Sequence, residues 1–530
     1  MKKSLLPGAL FSALSFFVAP CFGAPAPAAQ IPSPPKPSAA PVSKPANKSA
    51  NKTAIPQKIK AKPAAVSKAV VAAKKTVVAT KNQPKAKPAK AKAAATVPAF
   101  SLDSKLDSKL EKLPNGVQFV TRPDKLAPRA AISLVIRTGA AEEKPETAGW
   151  RRFLVGAMLR AAPQGFEPEA GQPITPQNED LPRAAEKLGG VIGATVGDDF
   201  IEIYVVGDSK RAPELLDLAL ALWQRPRLSD DDLKAARESS QNQIDADTLD
   251  TASKTQAALR GQLFRDARGE LSAYGLPDYG TDASLANLTD EKLRALQQSR
   301  FANARLTVAA SGDFDAAALR EKLKNLPARA LREPATPFFA APKTTPSLVV
   351  RELPIPSAWV FVSYPLEGDT KAEAPALRVL AAALGDSGAA RLPARLLKNQ
   401  PMGASTLASS VAAQFIPRRY AGELVIFAQT GPQNVERVKN VLLDEIRRLR
   451  DAPLLPTELE SAKTYARGSW SLERQSVRER AFQSALSPAL GGALDASFPA
   501  RLKSVSGAQV QNAARKYLKS YAVALVMPGE

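Results

Sequence analysis

From Gly116 onward the chain alternates short apolar runs of strand length with long stretches of helical period. Gly116 to Arg122 and Ala131 to Arg137 predict strands, Trp150 to Ala161 a helix, and Phe200 to Val206 a further strand. Two longer helices are predicted next, over Ala212 to Trp223 and from Ser229 to about Arg265. Asp230, Asp231 and Asp232 suit the positive start of the second one. A later series repeats the theme, with strands at Ser347 to Glu352, Trp359 to Tyr364 and Gly422 to Gln429. Its helices are predicted over Ala374 to Leu384, Val435 to Arg450 and from Pro456 to about Leu486.

The repetition extends to detail. Leu288-Thr289-Asp290-Glu291-Lys292-Leu293 opens a capped helix that leads through Phe301 into an apolar strand, Leu306 to Ala310, stopped by Gly312. Val505-Ser506 opens a helix through Val510 and Ala514 to Tyr517, followed by the strand Ala522 to Met527, stopped by Pro528-Gly529. The same unit thus recurs about 217 positions later, which predicts two homologous lobes. The expected class is α+β, each lobe an antiparallel-rich sheet packed against long helices. The lobes are placed at 100–325 and 347–530, joined by a linker, 326–346, rich in Pro, Ala and Thr.

What precedes the lobes is of two kinds. Met1-Lys2-Lys3 and the apolar run Leu5 to Ala19, followed by Cys21-Phe22-Gly23-Ala24, have the form of a secretory signal over 1–24. The run is too short to span a membrane, and no later segment is long enough, so no transmembrane segment is expected once the signal is removed. Val18-Ala19-Pro20-Cys21 is a poor lipoprotein box because proline precedes the cysteine. The expected location is periplasmic. Residues 25–99 hold 15 lysines, no acidic residue and no aromatic one, so they are expected to form a disordered tether. Removing these lysines with Lys2 and Lys3 from the net +22 leaves about +5. The basicity therefore belongs to the tether and does not imply nucleic acid. Either a solvated spacer or salt-sensitive adhesion to an anionic envelope surface would suit it.

Candidate chemistry begins with an exclusion: the 530 residues include no histidine. That removes Ser-His-Asp and Cys-His nucleophiles and any His-ligated zinc. Gly385-Asp386-Ser387-Gly388 has the form of a serine-nucleophile loop, inert without its histidine and read as a turn. The adjacent acids Glu142-Glu143 and Asp198-Asp199 are read as solvated loop pairs. Ser49 to Lys52 has dyad spacing but lies in the lysine-rich tether.

Several motifs in order resemble one family. Leu113-Pro114-Asn115-Gly116-Val117, then Arg137-Thr138-Gly139-Ala140, then Gly149-Trp150-Arg151-Arg152-Phe153-Leu154-Val155-Gly156-Ala157-Met158-Leu159 are similar to the opening of the pitrilysin-type zinc peptidases. Leu188-Gly189-Gly190, Tyr274-Gly275 with Gly280-Thr281, Gly312-Asp313, and Leu384-Gly385 with Arg391-Leu392 follow in the family's order. The resemblance implies a fold like that of mitochondrial processing peptidase across residues 110–528.

It does not carry the chemistry over. The family's H-x-x-E-H motif aligns with Arg152, Val155 and Gly156, and its later glutamates with Ala236 and the distal-ligand position Gln243. Its substrate-holding arginine and tyrosine align with Leu397 and Ala404; Arg395 is close but out of register. No catalytic residue, no zinc and no other cofactor is therefore expected. The resemblance implies a non-catalytic member that pairs with an active zinc-bearing homologue. The alternatives are a stand-alone peptide-binding protein, using an inner edge strand at Gly193, Ala194 and Thr195, and an enzyme of unrecognised chemistry.

Overall fold

In the computed structural model the described residues are 108–160, 181–224, 226, 228–266, 268–328, 336–337, 347–352, 355, 357–368, 370–398, 406–492 and 497–529. The signal-like segment, the lysine-rich stretch, Ala404 and most of the 326–346 linker lie outside them.

Two sheets form. The first joins β1 (Lys109–Lys112), β2 (Gln118–Pro123), β3 (Arg129–Ile136), β4 (Gly190–Val196), β5 (Ile201–Asp208) and β6 (Leu306–Gly312) in the order β1-β2-β6-β3-β5-β4. The second joins β7 (Ser347–Glu352), β8 (Ala358–Glu367), β9 (Ala408–Ile416), β10 (Ala421–Thr430) and β11 (Ala522–Pro528) in the order β7-β11-β8-β10-β9. Without β1 the two orders are the same. In each sheet the first strand lies parallel to the last (β2 with β6, β7 with β11), and the other pairs are antiparallel. The internal repeat is thus a repeat of topology.

The central strands are apolar without alternation because both faces are covered. β3 is buried from Ala130 to Ile136 and β10 along nearly its whole length. One face packs on helices of its own lobe, including α1 (Trp150–Arg160), α2 (Leu181–Lys187) and α3 (Ala212–Gln224) in lobe one. The other face takes a helix from the opposite lobe. This exchange depends on a break that periodicity did not foretell. The stretch read as one helix from Ser229 divides into α4 (Asp230–Leu249) and α5 (Thr251–Leu263), because the Asp250 side chain accepts from the Ser253 N–H and caps a new N-terminus. After the short helices α6 (Asp282–Asn287), α7 (Asp290–Leu296) and α8 (Ala316–Lys324), lobe two supplies α9 (Ala374–Ala381), α10 (Arg391–Leu396) and α11 (Val435–Asp451). The helix read from Pro456 then divides likewise into α12 (Pro456–Leu472) and α13 (Val477–Ala489), with Ser476 and Glu479 forming a capping box.

Beyond each break the chain crosses over. Leu259 and Leu263 of α5 join Phe361, Phe427, Ala524 and Val526 of the second sheet in one cluster. Phe482, Ala485 and Ala489 of α13 join Val120, Val135 and Ala309 of the first, and Phe200 meets Phe482 with ring centroids 5.4 Å apart. The helices α14 (Phe498–Ser504) and α15 (Gly507–Tyr517) complete lobe two.

Candidate functional site

The region that aligns with a zinc motif begins at a forced turn. Gly149 has φ +82°, and a Cβ there would lie 2.3 Å from the Tyr279 carbonyl oxygen, so only glycine lets α1 start against residues 277–280. Along α1, Val155 is 5% exposed and packs in the core. Arg152 lies over the Tyr279 ring, 4.7 Å from its centroid, and donates to Asp278 at 3.1 Å. Gly156 faces α4, where a Cβ would be in ordinary contact, 4.0 Å from that of Ala236. Gln243 lies farther along α4 and donates to Asp247 at 2.9 Å. The structure therefore brings Gly156 and Ala236 together and places two closely packed helices there. A guanidinium already bound to a carboxylate, an isopropyl group and a bare backbone supply no donor for a divalent cation, so the family's zinc does not fit these residues. Among the described residues no group of three or more acidic, histidine or cysteine side chains is arranged to hold a metal.

The polar substance of the region is an ion network that sequence reasoning missed. Arg151, 1% exposed, donates to Glu143 at 2.5 Å and Asp278 at 2.8 Å, and approaches Asp198 at 3.7 Å. Arg260 of α5 lies 3.6 Å from Asp198 and 3.7 Å from Asp278. Arg418, in the β9–β10 turn, then ties lobe two to lobe one: it donates to Asp198 at 2.5 Å and to Glu423 at 2.9 Å, beside the rings of Phe264 and Tyr274. The neighbouring Asp199 accepts from the Tyr274 hydroxyl at 2.5 Å and the Arg419 backbone N–H at 2.7 Å. The β4–β5 turn is thus clasped to its counterpart in the other lobe. Glu142, Glu143 and Asp199 are buried, which corrects their reading as solvated acids.

A buried Ser–Glu bond also repeats. Ser133 donates to Glu202 at 2.8 Å in lobe one, and Ser363 to Glu423 at 2.5 Å in lobe two, each pair bridging the equivalent two strands. Arg418 serves Glu423, whereas Glu202 is served by Arg478, which reaches it from α13 at 2.6 Å.

Partial burial alone would raise the Asp278 carboxyl, but Arg152, Arg151 and Arg260 surround it and hold it well below the usual range; Arg260 and Arg418 lower Asp198 likewise. A depressed folded-state pKa contributes stability that is present above the unfolded pKa, about 4, and is lost as pH falls below it. Acid unfolding followed by circular dichroism should therefore set in below about pH 5, and Asp278→Asn should flatten that dependence. An unchanged slope in the variant would contradict the assignment.

Of the two positions aligned with the substrate clamp, Ala404 lies outside the described residues. Leu397, just past α10, packs against the core of lobe two. Arg395 is bound to Asp444 at 2.9 Å and Glu445 at 2.5 Å, and Arg391 to Glu458 at 2.8 Å. Gly385 of the serine-like loop approaches β9, where a Cβ would lie 2.9 Å from the Ala413 nitrogen.

β4 is the terminal strand of the first sheet. A Cβ on Gly193 would meet the Tyr204 hydroxyl at 2.5 Å, so the ring lies over the glycine. Arg478 stacks on that ring at 4.2 Å and donates to Thr195 at 3.2 Å. Ala194 packs on the opposite face against the core, and Val191 is 55% exposed.

Residues 287–465 match the family model described as peptidase M16 inactive domain. Over that segment the chain resembles the pitrilysin-type (M16) family. Its similarity runs through both lobes: a Bacillus subtilis (strain 168) protein, described as the uncharacterized zinc protease YmxG, is 21% identical over 424 residues, 78% of this chain and 97% of that protein. Among solved structures, a peptidase M16 inactive domain from Pseudomonas fluorescens superposes with TM-score 0.66 at 18% identity, over 80% of this chain and 99% of that chain. A chain of complex III2 from Candida albicans superposes with TM-score 0.63 at 17% identity, over 79% and 95%. The M16 two-lobe fold and its mixed sheets are shared.

Proposed function

We propose that this M16 homologue is a non-catalytic subunit, exported to the periplasm, that pairs with an active zinc-bearing homologue. The observation that carries the reading is the α1–α4 junction, where Arg152, Val155, Gly156 and Ala236 form a salt-bridged, close-packed contact in place of ligands and base. Without a bound metal there is no lowered water pKa and no route to peptide hydrolysis by the family's chemistry. The match to a domain described as inactive and the likeness to a chain of a multi-subunit complex support a role exercised through contacts. Isolating the native protein with its bound chains, with metal analysis of the purified subunit, tests it. The expected result is a co-purifying homologue that keeps H-x-x-E-H and no stoichiometric zinc in this chain. Stoichiometric zinc together with chelator-sensitive peptide cleavage would overturn it.

A second reading, a stand-alone protein that binds extended peptides along β4, is favoured by one observation: β4 is an edge strand that presents exposed Val191. Proline at Gly193 is a poor test because it would also meet the Tyr204 ring. Val191→Lys is better, since an edge lysine opposes strand addition without touching the core. Peptide affinity should fall about tenfold, measured by fluorescence anisotropy. Affinity equal to the unaltered protein's would remove the edge from consideration.

A further inference from the structure

We propose that lobe two carries a binding site for a phosphate ester, in a cavity of about 310 Å³ whose polar lining is Glu373, Arg501, Ser504, Gln509, Asn512 and Lys516. The cavity lies among α9, α14 and α15, away from the α1–α4 junction and from β4, and the inference is independent of both functional readings.

Charge is the first observation. From Ala496 to Gly529 the chain has five cations, Arg501, Lys503, Arg515, Lys516 and Lys519, and no acidic residue. Arg515 donates to the Arg450 carbonyl at 2.7 Å, at the end of α11, where Arg447 and Arg448 are exposed and bridged to Asp444. Within the lining itself the cations are Arg501 and Lys516.

The lining is the second. Arg501 is set in place by the carbonyls of Lys371 and Ala372, at 3.2 and 3.3 Å, and lies 5.7 Å from the Phe498 ring centroid. Gln509 uses its carbonyl oxygen on the Ser506 N–H at 2.8 Å, leaving its amide group to donate. Ser504 and Asn512 add a hydroxyl and an amide. Ser504 already donates to the Arg501 carbonyl at 3.0 Å, so two cations and the two amide groups of Gln509 and Asn512 remain to meet the acceptor oxygens of a phosphate. Glu373 is the one carboxylate in the lining, and it accepts from Lys516 at 2.8 Å. It occupies a donor that a phosphate oxygen would otherwise take, so it competes with the ligand. A soluble phosphate ester and a phospholipid headgroup share this chemistry.

The test uses the full chain and glycerol 3-phosphate as the calorimetric probe. Arg501→Gln with Lys516→Gln should raise Kd by about tenfold or more, and Glu373→Gln should lower it about threefold. The opposite signs separate the cavity from the lysine-rich 25–99 stretch, which is the same in every variant. Thermal unfolding midpoints identify any variant that has lost its fold, and Glu373→Gln, which alters a surface pair, remains informative if the double variant does not fold. Failure of the unaltered protein to bind the probe at millimolar concentration, or an unchanged Kd in correctly folded variants, would overturn the proposal. A vesicle arm identifies the source. If the double variant loses binding to phosphatidylglycerol vesicles relative to phosphatidylcholine ones, the ligand is a headgroup; if vesicle binding is unmoved while the soluble probe is lost, it is a free ester.

Discussion

Arg151→Met should lower stability by about 3–5 kcal/mol, read from the first transition in urea unfolding, whereas Arg152→Met should cost about 1 kcal/mol or less. The two arginines are adjacent in sequence and unequal in consequence. Arg151 is fully enclosed and is bound to Glu143, whose side chain has no exposure, so its removal strands a carboxylate that water cannot reach. Methionine fills the space and leaves the charge uncompensated. Arg152 is 24% exposed and Asp278 32%, so solvent screens both after the pair is broken, and Asp278 keeps Arg151 and Arg260. Comparable losses in the two variants would show that burial does not govern this network.

Rebuilding the zinc motif should fail, and at a structural cost. The quadruple variant Arg152→His, Val155→Glu, Gly156→His and Gln243→Glu is expected to bind no stoichiometric zinc and to lose several kcal/mol of stability. Val155 packs among core side chains, so a glutamate there buries a carboxyl without a partner. At Gly156 the Cβ itself is tolerated, 4.0 Å from that of Ala236, but an imidazole extends beyond it into α4. The control is Gly156→Ala, which should stabilise the helix by roughly 0.5–1 kcal/mol because it fills only free space and removes backbone freedom. Zinc analysis and thermal melting of both variants decide the matter: one bound zinc in a folded quadruple variant would show that the helices separate readily and that the loss of chemistry is confined to side chains.

Much of the fold was legible from local pattern. Apolar runs located β3, β8, β10, β6 and β11, because strands covered on both faces are mostly apolar. β9 was not foreseen: Ala408–Ile416 is mostly small or polar, and pairing with β10 decides its conformation. The helix breaks were missed because Asp250 and Ser476 lie within sequences whose helical period continues past them, although each has a capping pattern. At the site, the positions of Arg152, Gly156, Ala236 and Gln243 could be named by resemblance, yet nothing local announced the ion network. Its members are remote in sequence: Arg151 and Asp278 are 127 positions apart, Arg418 and Asp198 220, Arg478 and Glu202 276. Charges read one at a time look solvated, and only the fold shows which are enclosed.

The crossing of α5 and α13 between lobes bears on the order in which the molecule can be made. Val120, Val135 and Ala309 belong to the first half of the chain, but the helix that covers them is residues 477–489. During synthesis the first sheet must therefore stay uncovered on one face until residues 477–489 are available, whereas the helix that covers the second, α5, is made before any of that sheet's own strands. The amino-terminal lobe, although made first, cannot close on its own, and the chain holds one of its apolar faces open for most of its own production.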